Sequence, residues 1–141
     1  MFRHVRDLVH SQDPDNVDML ADKLKGAGLT YGKTVTSLAS KILFLNNPAR
    51  ILPYDANAKL SLGYRGTKYS EFEKLVEDQS PLLEELYNSL PNDIMEFLEC
   101  VENQFRFADE VSIRKSRFKD KVLWTLGKNR MPLAYLTKRG T

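Results

Sequence analysis

Between Thr36 and Asp55 an apolar run meets a double asparagine and a proline, and this stretch narrows the folds open to the chain. Val35, Leu38, Ala39, Ile42, Leu43 and Leu45 cover more than half of a helical circumference. That pattern predicts a helix buried between neighbours rather than one lying on a surface. The helix should begin near Thr30 to Lys33 and end at Asn46, because asparagine tolerates a terminal turn and Pro48 disfavours helical geometry at Asn47. Ile51-Leu52-Pro53-Tyr54 is too short and too proline-bound for a strand. Asp55 then stands where an N-cap belongs, ahead of a short helix over 56–62 that Gly63 closes.

A buried helix needs others to cover it, and the remaining segments supply them. Phe2, Val5, Leu8 and Val9 fall on one helical stripe. Asp13-Pro14 reads as the cap and first residue of a second helix, which buries Val17, Leu20, Ala21 and Leu24 and stops at Gly26 and Gly28. After a basic turn at 64–68, Tyr69, Phe72, Leu75 and Val76 mark another amphipathic helix. Ser80-Pro81 restarts the chain, with Leu82, Leu83, Leu86 and Tyr87 inward. Pro91-Asn92-Asp93 opens the next, placing Ile94, Phe97, Leu98 and Val101 inside and Glu96, Glu99 and Glu102 outside. Cys100 is expected on that apolar face as a core thiol. A last long helix, from Asp109 to Leu126, should bury Val111, Phe118, Val122 and Leu126, with Gly127 as its stop. The tail over 131–141 should dock through its apolar residues and then fray. The expectation is an all-α fold over 1–141, a compact single-domain bundle of about seven or eight short helices.

A chain of 141 residues is long enough to bury one core. No apolar run approaches the roughly 18 residues of a membrane span, so no membrane partner is expected. The charged N-terminus lacks the apolar segment of a secretory signal, and the single cysteine excludes an intramolecular disulfide. Both point to a cytoplasmic protein. The net charge of +2 conceals strong polarisation. Residues 1–70 carry ten basic and six acidic groups, 71–110 two and twelve, and 111–141 nine and one. Polarity of this kind bears on partners more than on fold.

Two familiar chemistries are excluded. His4 and His10 have no further ligand at metal spacing, and a zinc site needs three or four. Gly28 to Gly32-Lys33-Thr34 leaves three residues between the glycines where a phosphate loop needs four, and no strand precedes it. No cofactor is implied. The basic stripe of the last helix is more informative. Arg114, Arg117 and Lys121 follow i, i+3, i+7 spacing, and Lys128 extends the row. Such a face attracts phosphate backbones through counterion release. The same charges would also serve to neutralise the acidic 71–110 block within the fold.

Ala39-Ser40-Lys41-Ile42-Leu43, then Asn47-Pro48, then Leu52-Pro53-Tyr54-Asp55 opening a helix, resembles a segment of the helix-hairpin-helix DNA glycosylases. In particular it is similar to small bacterial proteins with an 8-oxoguanine DNA glycosylase-like fold. The resemblance implies a damaged or modified base as substrate, a role in DNA repair or defence, and Asp55 as the essential carboxylate. That carboxylate would stabilise positive charge as the glycosidic bond breaks, or activate an attacking group. The base must first leave the duplex. The resemblance is partial. Ser37 stands where the bifunctional members carry a lysine nucleophile, and Lys33 and Lys41 lie one turn to either side of it. Those two lysines are the candidate displaced nucleophiles, and the glycine-rich hairpin at Gly26-Ala27-Gly28 lies too far upstream.

Two functions from different classes follow. One is a DNA-binding helical protein with a glycosylase-like core, excising or recognising a damaged or modified base. Its candidate residues are Asp55, Lys33 and Lys41 for catalysis, with Arg114, Arg117, Lys121 and Lys128 for phosphate. The alternative is a non-enzymatic module that docks a protein partner through its polarised surface.

Overall fold

Local side chains cap two of the helix starts in the molecule, and a distant carboxylate serves a third. The computed structural model describes residues 16–102 and 110–137, and every regular element among them is helical. There are eight: α1 (Val17–Gly26), α2 (Thr36–Asn46), α3 (Ala56–Ser61), α4 (Tyr69–Asp78), α5 (Ser80–Asn88), α6 (Asn92–Glu102), α7 (Glu110–Lys128) and α8 (Ala134–Thr137). They form one compact all-α domain. The expected first helix, with His4 and His10, and the Asp13-Pro14 cap lie outside the described residues. Asn16 caps α1 instead, its side-chain oxygen accepting the Met19 amide at 2.9 Å.

At the other end of α1, Gly28 takes a φ of +73°, and the Leu29 amide returns to the Leu24 carbonyl at 3.2 Å. The left-handed residue turns the chain back on the helix end, as glycine permits. α2 begins later than expected. Residues 30–33 form a turn in which Tyr31 and Gly32 both take positive φ, and the Lys33 amide donates to the Thr30 carbonyl. The buried stripe of α2 is also narrower. Thr36, Ala39, Ser40 and Leu43 are inside, whereas Leu38 is 48% and Leu45 83% exposed.

Two polar members of that stripe explain its direction. Thr36 donates to the Thr67 carbonyl at 2.9 Å, and the Ser40 hydroxyl accepts the Tyr54 amide at 2.9 Å. Tyr54 is thereby seated beside Phe72, with ring centroids 5.2 Å apart and edge to face. Tyr69 accepts the Leu52 amide at 2.9 Å, and burial pushes its phenol well above the ordinary range. Asp18 of α1 accepts the Tyr69 and Ser70 amides at 2.6 and 3.0 Å. A carboxylate 51 residues away thus satisfies the open amides at the start of α4. Ser80 does not cap α5. It lies within the helix and donates to the Val76 carbonyl, so α4 and α5 run almost end to end.

α7 makes its closest approach to α3. Gly127 lies inside α7 rather than ending it, and a Cβ there would sit 1.8 Å from the Asn57 carbonyl oxygen. The glycine is a packing seat. The tail docks on the same region: Leu133 is buried, and its amide donates to the Ser61 carbonyl at 2.8 Å. α6 lies less deeply than its sequence suggests. Ile94 is 42% and Phe97 64% exposed, and Cys100 is exposed rather than a core thiol. No described helix is long and apolar enough to cross a membrane.

Candidate nucleic-acid interface

The inner face of α7 is shifted from the one its apolar pattern predicts, although Leu126 is buried and Val122 packs against the core as expected. Val111 is 55% exposed, while Ile113, Ser116, Leu123, Leu126 and Gly127 are buried. The helix is rotated so that small and polar residues share its inner side, because Gly127 must meet the Asn57 carbonyl. That rotation decides which cations reach solvent. Arg117, Lys121 and Lys128 are exposed and fall on one row with Trp124, at i, i+4, i+7 and i+11.

Trp124 is half-buried and lies between two ammonium groups. Lys121 Nζ is 5.8 Å from its ring centroid and Lys128 Nζ is 4.9 Å away. Cations over an indole face are held by the ring quadrupole, so the two lysines are drawn toward the aromatic surface. Arg114 is separated from this row. It is only 7% exposed and pairs with the half-exposed Glu99 of α6 at 3.0 Å, so a carboxylate rather than open solvent meets its charge. The expected four-cation stripe is therefore three exposed cations and one internal arginine.

Asp55 is half-buried at the start of α3, where its Oδ1 accepts the Ala58 amide at 2.9 Å. This is the N-cap expected from sequence. The neighbouring charge is Asp120 of α7. Burial first, and the Asp55 carboxylate second, push Asp120 above the ordinary carboxylate range, with Lys121 and Arg117 partly opposing them. Asp120 thus lies within electrostatic reach of both Asp55 and the exposed cation row. Asp55 and the row are linked only through Asp120, which feels Lys121 and Arg117.

The structure does not bring the two candidate lysines to Asp55. Lys33 is exposed in the turn before α2, and Lys41 is exposed on α2 itself. Among the described residues neither makes a hydrogen bond or ion pair to Asp55. Ser37 is half-buried, with its carbonyl accepting the Ser40 hydroxyl at 3.0 Å. Among the described residues no three histidine, cysteine, aspartate or glutamate side chains are grouped to hold a metal ion.

Two members of the site were missed by reasoning from charge spacing alone. Trp124, the only tryptophan, interrupts the cation row at helical spacing, and aromatic interleaving was the signal. Asp120 is the one acidic residue in the basic 111–141 block, an oddity that also pointed inward. Compared with known protein families, curated proteins and solved structures, the chain finds no match.

Proposed function

We propose that the exposed row of α7 binds DNA, with Arg117, Lys121 and Lys128 on phosphates and Trp124 offering its ring to an unpaired base. The observation that carries this reading is the indole held between two lysines on one helix face. Nucleic acid carrying unpaired bases is bound by this pairing of groups, stacking on the aromatic and neutralising the backbone beside it. Arg114 has no part in the interface, since it is committed to Glu99. Asp120 makes the local field less positive than the three cations alone would, which favours a moderate and strongly salt-dependent affinity.

Base excision is the narrower form of the proposal. It gives Asp55 the role of stabilising positive charge on the sugar of a flipped nucleotide, close to the face that holds the backbone. Its support is the proximity of Asp55, through Asp120, to Arg117 and Lys121. The lyase variant, with Lys33 or Lys41 as nucleophile, has less support, because neither lysine contacts Asp55.

Because Trp124 is the sole tryptophan, its fluorescence reports the encounter directly. Titration with a single-stranded oligonucleotide at low salt should change the emission and saturate. The logarithm of affinity should fall with that of salt at a slope of about −2, as expected for three phosphates on a single strand. Replacing Arg117, Lys121 and Lys128 together by alanine should abolish the change. Absence of binding at low salt overturns the DNA reading and favours a protein partner on the same polarised surface. Incubation with duplexes containing oxidised or modified bases tests excision separately. Equal product from wild type and Asp55→Asn, or none from wild type, would end that part alone.

A further inference from the structure

A cleft of about 390 Å³ opens between α4, α5, the N-terminal half of α7 and the chain at Ala49–Leu52. The wall from α7 presents Ser112, Lys115, Ser116 and Lys119, which helical geometry places on one stripe. Ser116 is the unusual member. It is only 6% exposed, and its buried Oγ has no hydrogen-bond partner. A helical serine can bond back to the preceding turn, yet this one does not. A buried hydroxyl without a partner is destabilising, so its presence at a cleft wall is explained if an occupant supplies the acceptor.

Charge around the cleft limits the occupant. Arg50, Lys115 and Lys119 are matched by Glu73, Glu77 and Glu84, so the lining is neutral overall but divided. The lysines come from α7 and the glutamates from α4 and α5. Lys119 donates to Ser80 at 3.2 Å and Lys115 stands 4.0 Å from Glu84, and an ammonium carries three donors, so both retain capacity. A purely anionic ligand would meet three carboxylates, and a purely cationic one would meet three cations. A molecule bearing both charges satisfies both walls. Leu52 and Val76 supply a small apolar floor.

We propose that the cleft binds a small zwitterion of the α-amino acid class. Its carboxylate lies on the Ser116 hydroxyl and the Lys119 ammonium, its ammonium toward Glu77, and its side chain over Leu52 and Val76. The site is separate from the cation row of α7, so its test does not depend on DNA binding.

Calorimetric or NMR titration of the full chain with L-leucine should show saturable binding, with Kd on the order of 1 mM or tighter. Isopentylamine, which lacks the carboxylate, and 4-methylpentanoate, which lacks the ammonium, should fail at the same concentrations. Ser116→Ala should weaken L-leucine roughly tenfold, the loss of one hydrogen bond. It should also raise the Tm of the ligand-free protein by about 4 °C, because it removes the unpaired hydroxyl. Lys119→Met should weaken L-leucine without changing its one-to-one stoichiometry. No saturable binding of L-leucine, equal binding of either single-charge analogue, or undiminished binding to Ser116→Ala overturns the proposal.

Discussion

The two halves of α7 are held by different physics. Toward its C-terminus Leu123 and Leu126 enter the core, and Gly127 lets α3 approach to backbone contact. Toward its N-terminus the buried positions are Ile113, Arg114 and Ser116, and the neighbour α6 keeps Phe97 in solvent. One end is a close-packed apolar seam, where a single methylene is felt. The other is a polar junction joined by the Arg114–Glu99 pair, with Glu99 half in solvent. Ion pairs that reach solvent contribute little, so this end should give way first under denaturant and the α3 seam last.

The sharpest way to break that contrast is to empty the seam. Leu123→Ala removes a side chain that is 1% exposed and should destabilise the fold by about 3 kcal/mol in urea unfolding. Gly127→Ala follows. Its Cβ would overlap the Asn57 carbonyl, so α3 must move, at about 2 kcal/mol after the helix-propensity gain of alanine is counted. A neutral result there would show that α3 and α7 separate freely, and the seam would lose its standing.

Asp55 and Asp120 test the polar edge of the same seam. Asp55→Ala should cost about 1 kcal/mol as a lost N-cap, and Asp55→Ser should restore most of it. If DNA chemistry is present, Asp55→Ser should recover stability without recovering product, which separates the cap from the carboxylate. Asp120→Asn should act in the opposite direction. The folded state holds the Asp120 proton to higher pH than the unfolded chain, whose value lies near the ordinary 3.8. Stability is therefore lost as pH rises from 3.8 through the raised folded value, and it is regained in acid. The variant should melt higher than wild type at neutral pH, with the difference closing below 3.8. The smallest effect belongs to α6. Phe97→Ser should change unfolding free energy by less than about 0.5 kcal/mol, since the ring already faces solvent. A large loss would mean that Phe97 is covered by something beyond the described residues.

Local chemistry made much of the fold legible. The helices near 17–26, 56–61, 69–78 and 80–88 could be read from apolar spacing, and at 56–61 the end signals agree with it, in the Asp55 cap and the Gly63 turn. The exposure of Leu45, Phe97, Val111 and Cys100 could not be read, because periodicity gives the apolar stripe of a helix but not which neighbour will cover it. Charge spacing picked out Arg117, Lys121 and Lys128 but could not distinguish them from Arg114, which is buried and has Glu99 opposite it.

By itself, then, the sequence determined an all-helical chain, most of its helix limits and the concentration of positive charge near its end. Those depend on interactions within a few residues, which composition and spacing encode directly. Tertiary structure alone decided the rotation of α7, and with it the exposed lysines beside a half-buried tryptophan, the internal arginine, the Asp55–Asp120 proximity and the unpaired Ser116 hydroxyl. Each depends on where Gly127 meets Asn57, a contact across 70 residues of chain that no local pattern announces.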